Sequence, residues 1–184
     1  MVKNFKYEYL SKKKEPYFIA EIGINHSGHL PLCLRMIKLS KLSGAHAVKF
    51  QKRDAEDLLN FGEKIKTPNG YLSKHENDIP KKKPGFGAWA YPDIRLEFNE
   101  NDYKKIISYC KKIKIDLIIT PWDEKSVDLL KKLRIKVFKI ASIDANNFHF
   151  CEYVDKKKIP TIISTGTCTY KELELTKKIF SKHK

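Results

Sequence analysis

The sequence lacks the features by which several classes of protein are recognised. Its 4 cysteines include no CxxC pair and follow no secretory leader, which favours a reduced, cytoplasmic compartment over a disulfide framework. No apolar run approaches the roughly 20 residues of a membrane-spanning helix. No GxGxxG or Walker-type loop follows an apolar run, and there is no low-complexity tract. Neither a membrane protein nor a glycine-loop nucleotide-binding protein is predicted.

The charge is strongly basic but gives little support to nucleic-acid binding. The formal net charge is +15 at pH 7, and many lysines fall on the solvent faces of predicted helices, such as Lys104, Lys105, Lys111 and Lys112. Arginine is scarce, and aromatic residues do not interleave with the basic runs, as they often do where proteins bind phosphate backbones and stacked bases. A solvated lysine-rich surface is the preferred interpretation, so no nucleic-acid partner is expected.

The pattern of apolar residues predicts alternating strands and helices. A chain of 184 residues, 41% of them hydrophobic, can bury a substantial core in about one domain. Strand-like runs occur at 17–24, 45–51, 115–120, 135–141 and 160–164. Helical patterns occur at 30–43, 101–113, 124–133, 147–157 and 170–182. This alternation predicts βα units and a parallel sheet, and the apolar character of the runs indicates a sheet covered on both faces.

Two segments fall outside this alternation. Residues 1–16 are polar and basic, and they predict a short N-terminal arm or hairpin before a domain at 17–184. Residues 52–99 contain several proline and glycine turn signals and no long periodic segment. A loop of that length within a compact domain is usually a functional lid or a disordered insertion.

Three charged residues lie inside the apolar runs, where charges are unexpected. They are Glu21, Lys49 and Lys139. Lys and Glu are rarely fully buried unless they are paired, and an isolated buried charge is strongly unfavourable. The three charges therefore predict a polar pocket built from strand ends.

Other polar residues follow the predicted strands. In parallel α/β folds, ligands bind at the carboxyl ends of the strands. Besides the three charges, those ends hold Asn25, His26, Gln51, Thr120, Ser142, Ser164 and Thr165. A single Ser or Thr at such a position is more often a turn or helix-cap residue. Two lysines with hydroxyl and amide groups predict a cradle for a phosphorylated or carboxylated ligand.

The histidines do not predict a metal site. Five of them are interpreted as surface or packing residues, because they lack the spacing of metal ligands: His29, His46, His75, His149 and His183. His26 is three residues from His29, but both lie in a predicted loop. The segment 25–28 is typical of a turn that begins a helix.

The strand ends resemble the N-acetylneuraminate (sialic acid) synthase family. The resemblance is carried by four ordered motifs: Ala20-Glu21-Ile22-Gly23-Ile24-Asn25-His26-Ser27-Gly28, Gly44-Ala45-His46-Ala47-Val48-Lys49-Phe50-Gln51, Lys139-Ile140-Ala141-Ser142 and Ile163-Ser164-Thr165-Gly166. It also covers Thr120-Pro121-Trp122 and runs from about Tyr17 to the C-terminus. Four motifs in order at compatible spacing are far more specific than any one of them.

The resemblance implies an α/β fold of the (β/α)8 TIM-barrel type, of which this chain would hold about five βα units. It implies a transferase of carbohydrate biosynthesis that condenses phosphoenolpyruvate with an N-acetylated amino sugar such as N-acetylmannosamine. The products are phosphate and a nine-carbon acidic sugar. In family members a divalent metal, Mn²⁺ or Mg²⁺, activates the sugar aldehyde, and its histidine ligands come from later strands without a counterpart here. Family members are commonly domain-swapped dimers, so the resemblance allows a homodimer.

The same resemblance implies roles for individual residues. The positions that hold phosphoenolpyruvate in the family match Lys49, Gln51, Thr120, Lys139, Ser142 and Ser164. Glu21 is expected to orient the amino sugar, and Asp144 to activate water or relay a proton, at a position where the family often has Glu. Carbon C3 of phosphoenolpyruvate would attack the metal-polarised aldehyde, water would add at the cationic C2, and phosphate would leave.

Alternatives to a complete enzyme remain open. A full barrel of this type needs about 250 residues, whereas the sequence has 184. The family also has a C-terminal antifreeze-like domain with no counterpart here. The chain is therefore expected to be the N-terminal portion of a longer enzyme and inactive alone. The alternatives are a non-catalytic remnant or sugar-phosphate binding module, and a synthase of a legionaminic or pseudaminic acid.

Overall fold

The computed structural model describes residues 16–54 and 96–181. Within these ranges strands and helices alternate as predicted. The strands are β1 (Ile19–Gly23), β2 (Ala47–Lys52), β3 (Asp116–Pro121), β4 (Phe138–Ile140) and β5 (Thr161–Ile163). The helices are α1 (Leu30–Leu42), α2 (Glu100–Ile113), α3 (Glu124–Lys132), α4 (Phe148–Asp155) and α5 (Tyr170–Ser181), and a 3₁₀ turn at Ser142–Asp144 follows β4. The predicted arm before Pro16 and residues 55–95 of the predicted loop lie outside the described residues.

The strands form one parallel sheet in the order β1-β2-β3-β4-β5. Each strand is therefore added beside the preceding one. Crossovers between parallel strands are nearly always right-handed, so a sheet built in this order carries its helices on one face. The parallel α/β fold agrees with the prediction, and its topology is that of a barrel wall rather than a doubly wound sheet.

The main core joins this sheet face to all of the described helices. Helix residues of the core include Ile37, Ile106, Leu130, Val154 and Ile179. Strand residues of the core include Val48, Phe50, Ile119, Phe138 and Ile140. Burial of these large apolar side chains is the main favourable term in holding such a layer together.

The opposite sheet face is covered differently from the prediction. Its apolar cluster is small and consists of Ala47, Ile118 and Val137, with Tyr17 and Ile162 packed against it. In the described ranges no helix residue contributes to that cluster, so of the two faces that were expected to be covered, only one is covered by helices there. The strands have apolar runs because residues of both clusters alternate along them, which resembles the inside and outside of a barrel wall.

Capping residues begin two of the helices that follow the strands. The Asn99 side chain accepts a hydrogen bond from the Asp102 amide at 3.0 Å and begins α2. Asp123 accepts from the Ser126 amide at 2.6 Å and begins α3. Caps of this kind satisfy amide groups that the first helical turn leaves unpaired, and they set the path of the loops at this edge of the sheet.

All of the cysteines are free. Burial raises the pKa of the Cys33 and Cys110 thiols to about 12 and that of Cys151 to about 11. These three thiols are therefore inert, protonated packing groups near neutral pH. Across the described ranges, the structure has no helix with the length and apolar character needed to cross a membrane.

Candidate functional site

The sheet register brings the predicted site residues to one edge of the sheet. Glu21 is paired with Lys49, and Gln51 is paired with Thr120. Ile119 is paired with Phe138, so Thr120 and Lys139, the next residues of their strands, lie at the same level. Side chains alternate between the faces of a strand. Lys49 and Gln51 therefore share the face of Ala47, which is the face without a helix.

Lys49 lies at the centre of this group. Its ammonium is ion-paired with the Glu21 carboxylate and donates a hydrogen bond to Thr120 Oγ1 at 3.4 Å. Its side chain is 15% exposed, whereas the Glu21 side chain is 52% exposed. The expectation that Glu21 is a buried carboxylate was therefore wrong. β1 is one of the two edge strands of the described sheet, and the Glu21 side chain reaches solvent.

Lys139 is the second cation of the site. Its Nζ donates to the Ile140 carbonyl at 2.8 Å. Burial lowers the pKa of Lys139, the nearby positive charge of Lys49 lowers it further, and Glu21 acts in the opposite direction. Two lysines thus lie within electrostatic range of each other and share one carboxylate. The group, which we call the open charge group (Glu21, Lys49 and Lys139), holds an excess positive charge.

The backbone of β1 places Glu21 and Gln51 side by side. The register of β1 and β2 shifts between Glu21 and Gly23, as in a β-bulge. Gly23 has φ +57°, and a Cβ atom at this position would lie 3.5 Å from Glu21 Oε1 and 3.7 Å from Gln51 Nε2. Glycine suits both the left-handed backbone and the close approach of these two side chains.

Ser164, Ser142 and Asp144 follow the next two strands. The Ser164 amide donates at 3.1 Å to the Ile140 carbonyl, which also accepts from Lys139, so Ser164 lies beside that lysine. The hydrogen bonds that the structure shows for Ser142 and Asp144 are to neighbouring loops and α4, not to the lysines. The Ser142 carbonyl accepts from the Thr167 hydroxyl and, at 3.9 Å, from the Cys168 thiol.

Asp144 has the environment of a group that can hold a proton. Its Oδ2 atom is buried and has no hydrogen-bond partner, and burial raises the pKa of its carboxyl group. Desolvation disfavours the charged form of a carboxyl group. A carboxyl group with a raised pKa is better matched to proton transfer near neutral pH than an ordinary aspartate.

A second group of charges, which the sequence did not reveal, lies on the other side of β2. The closed charge group consists of Lys52, Arg53 and Glu97, whose side chains are 11%, 4% and 8% exposed. Glu97 accepts from Arg53 Nε at 2.8 Å and from its backbone amide at 3.2 Å, and lies 3.4 Å from Lys52 Nζ. The group ties the segment before α2 to the end of β2.

His26 packs beside the closed charge group. It is 2% exposed, its ring stacks on Phe98 at 4.2 Å, and its Nδ1 accepts from the Gly28 amide at 3.1 Å. Burial lowers its pKa to about 4, against a smaller opposing effect of Glu97. The structure therefore confirms a turn before α1 and gives His26 the role of a neutral packing residue.

The described residues do not fit a divalent metal. Within residues 16–54 and 96–181 there is no group of three or more His, Cys, Asp or Glu side chains that could hold one. The open charge group is cationic, whereas Mn²⁺ and Mg²⁺ prefer carboxylate, carbonyl and water oxygens as ligands.

Comparison with known proteins assigns the chain to a family. The NeuB family model matches residues 36–184. N-acetylneuraminate-9-phosphate synthase of Mus musculus is 37% identical over 158 residues, which cover 83% of this chain and 40% of the relative. N,N'-diacetyllegionaminic acid synthase of Legionella pneumophila is 33% identical over 160 residues, covering 86% and 42%. The chain thus spans about two fifths of the length of these curated relatives.

Solved structures share the fold. N-acetylneuraminic acid synthetase from Leptospira borgpetersenii, in complex with citrate, has a TM-score of 0.70 at 27% identity, covering 90% of this chain and 50% of that one. A truncated 3-deoxy-D-arabino-heptulosonate 7-phosphate synthase from Thermotoga maritima has a TM-score of 0.56 at 10% identity, which shows a likeness of fold alone. The parallel wall of the described residues is thus of the TIM-barrel type. Since the family match covers most of the chain, the protein belongs to the NeuB family, the sialic acid synthases that its strand-end motifs resemble.

Proposed function

We propose that this chain carries the phosphoenolpyruvate-binding part of a sugar acid synthase. The observation that carries the proposal is the pair of Lys49 and Lys139 at the carboxyl ends of parallel strands, with Thr120 beside them. The relatives named N-acetylneuraminate-9-phosphate, legionaminic acid and pseudaminic acid synthases support the class of product. The co-substrate would be an N-acetylated amino sugar.

The open charge group suits the charges of phosphoenolpyruvate. This ligand has a phosphate and a carboxylate at the two sides of a short carbon skeleton, and Lys49 and Lys139 would neutralise both. Hydrogen bonds to charged groups are stronger than those between neutral groups. Gln51, Thr120 and Ser164 would add neutral contacts that fix the orientation, which is the main contribution a binding site makes to a reaction between two substrates.

The chemistry would be a condensation followed by loss of phosphate. C3 of phosphoenolpyruvate forms a bond to the aldehyde carbon of the sugar, whose oxygen takes up a proton. Water adds at C2, and the bond from C2 to the phosphate oxygen breaks, which leaves a 2-keto acid and inorganic phosphate. Lys49 and Lys139 would stabilise the charge that moves onto the phosphate. Asp144 would take the proton from the attacking water, since its carboxyl pKa is raised by burial.

Binding of phosphoenolpyruvate to the chain tests this proposal. Titration calorimetry is expected to show binding to the wild-type chain and at least about a tenfold loss of affinity in Lys49→Ala, because one of two charge-assisted contacts is removed. Lys104→Ala is the matched control, since Lys104 is an exposed lysine of α2. Equal affinities of Lys49→Ala and the control would contradict the proposal.

A binding module without catalysis is the second candidate. It is favoured because the residues placed at the site bind anions, and of them only Asp144 has the environment of a proton-transfer group. Phosphate release that requires both phosphoenolpyruvate and an N-acetylated amino sugar would support the synthase. Binding of phosphoenolpyruvate with no such release is expected both of the module and of the N-terminal part of a synthase, since the chain spans about two fifths of its relatives' length.

A further inference from the structure

The Glu21 carboxylate occupies the place where an anionic ligand would contact Lys49. It is ion-paired with the Lys49 ammonium, and it also lies within electrostatic range of Lys139. A phosphate or carboxylate of phosphoenolpyruvate needs the same ammonium group. The ligand and Glu21 are therefore two anions that compete for one cation.

The two partners of this ion pair differ in how easily they can leave it. The Lys49 side chain is only 15% exposed, whereas the Glu21 side chain is 52% exposed. A largely buried cation loses much stability without an anionic partner. An exposed carboxylate regains its hydration when it moves away, and exposed ion pairs contribute little to stability. Exchange of Glu21 for another anion therefore costs little free energy, whereas leaving Lys49 without any anion costs more.

The backbone of β1 holds Glu21 in this place. The register of β1 and β2 shifts between Glu21 and Gly23, and Gly23 has a φ of +57°. As a result, Oε1 of Glu21 lies on the side of Gly23 and Gln51, while Oε2 is ion-paired with Lys49. The competing carboxylate is thus part of the folded site. β-Bulges commonly change the direction of a side chain in this way.

We propose that Glu21 is a built-in competitor for the anion cradle. Its carboxylate pairs with Lys49 and moves aside when the phosphate or carboxylate of phosphoenolpyruvate takes its place. The released Glu21 carboxylate is then available to accept hydrogen bonds from the hydroxyl groups of the amino sugar. This inference rests on the proposed function. It predicts that Glu21 lowers the affinity of the chain for phosphoenolpyruvate.

The competing role can be distinguished from a supporting role by the sign of one change. If Glu21 only oriented Lys49, its removal would weaken anion binding. If Glu21 competes, Glu21→Gln removes the competitor and keeps the shape of the side chain. We expect Glu21→Gln to bind phosphoenolpyruvate about three- to tenfold more tightly than the wild-type chain, as is typical for loss of a partly exposed ion pair.

Titration calorimetry at fixed pH and ionic strength measures this change. Glu152→Gln is the matched control, because Glu152 is an exposed residue of α4 and its loss changes the net charge equally. Circular dichroism of both variants checks that the fold is kept. Tighter binding in Glu21→Gln than in Glu152→Gln supports the proposal, and equal or weaker binding overturns it.

A second measurement follows Glu21 directly. The carboxyl ¹³C signal of Glu21, assigned by its loss in Glu21→Gln, is expected to shift when phosphoenolpyruvate is added to the wild-type chain. If the wild-type chain binds phosphoenolpyruvate and this signal does not move, only the competing role of Glu21 is overturned. If neither the wild-type chain nor Glu21→Gln binds phosphoenolpyruvate, the anion cradle and the competitor are both wrong.

Discussion

The open and closed charge groups have the same balance of charges and opposite surroundings. Each combines two cations with one carboxylate and includes a lysine of β2. In the closed group the carboxylate of Glu97 is 8% exposed and contacts both cations. In the open group the carboxylate of Glu21 is 52% exposed. A buried carboxylate is not readily exchanged, so we interpret the closed group as an anchor and the open group as the proposed ligand site.

The difference follows from the faces of β2. Lys49 lies on the face without a helix, where the second apolar cluster is small. Lys52 and Arg53 lie where Phe98 and α2 cover the strand end, and Tyr103 of α2 donates to the Gln51 carbonyl at 3.0 Å. Three residues of one strand thus separate a lysine whose carboxylate partner reaches solvent from a lysine whose carboxylate partner is buried.

The largest expected effect is the loss of the closed group's carboxylate. Glu97→Gln removes the carboxylate that pairs with the buried Lys52 and Arg53 in the described part of the chain, and Arg53 already has a buried Nη2 atom without a hydrogen-bond partner. We expect a loss of about 3–5 kcal/mol in the free energy of unfolding, as is typical when one partner of a buried ion pair is removed. Urea unfolding followed by circular dichroism measures this change.

Glu21→Gln is the matched variant in the open group. Since the Glu21 side chain is 52% exposed and only one largely buried cation, Lys49, loses its partner, the loss in the free energy of unfolding is expected to be smaller than in Glu97→Gln. Comparable losses in Glu97→Gln and Glu21→Gln would show that the two groups do not differ as anchor and ligand site.

The next effect is a dependence of stability on pH through His26, the neighbour of the closed group. Its pKa in the folded chain is lowered to about 4 from 6.5, so the unfolded chain binds more protons between these values. Stability is therefore lost as the pH falls from 6.5 to 4, by about 3 kcal/mol in all. Urea unfolding of the wild-type chain and of His26→Gln across this range measures the difference between them.

Carboxylates also titrate in part of this range, so the difference between the two chains is the informative quantity. The wild-type chain is expected to lose its advantage over His26→Gln as the pH falls. If the difference between the two free energies of unfolding stays constant from pH 6.5 to 4, His26 is not held neutral by its packing against Phe98.

The elements and the open group could be predicted because their signals are local. Strands and helices follow from apolar periodicity, and Lys49 and Lys139 are recognisable as single charges inside apolar runs. Their shared face follows from the alternation of side chains in parallel strands. Each of these inferences needs only residues that are close in the sequence or ends of strands that a parallel sheet aligns.

The closed group and the exposure of Glu21 could not be predicted in this way. Glu97 reaches Arg53 across 44 residues, from a segment that has no periodicity to place it. The burial of His26 depends on Phe98 in that same segment. The neighbours of Glu21 in the sequence are apolar, as those of a buried residue usually are. Its exposure reflects the position of β1 at one edge of the described sheet.

The smallest effect on stability concerns the second cation of the open group and has the opposite sign. The pKa of Lys139 is lowered by burial and by Lys49, which means that its charge is less favourable in the folded chain than in the unfolded one. Lys139→Met should therefore raise the free energy of unfolding at pH 7, by no more than about 1 kcal/mol. The same change should weaken phosphoenolpyruvate binding by about tenfold or more, because it removes a charge-assisted contact.

Stability and binding thus change in opposite directions at a ligand site, where a charge is retained for function at a cost in stability. Urea unfolding and titration calorimetry give the two quantities, and Lys136→Met is the control because Lys136 is an exposed lysine shortly before β4.

The sign of the effect of Lys139 on stability can also be tested by pH. Near pH 10 the unfolded wild-type chain binds more protons at residue 139 than the folded chain does, so its stability should rise with pH toward 10.5. Lys139→Met should lack this rise, and a variant that loses stability together with affinity would instead place Lys139 with the anchoring charges of the closed group.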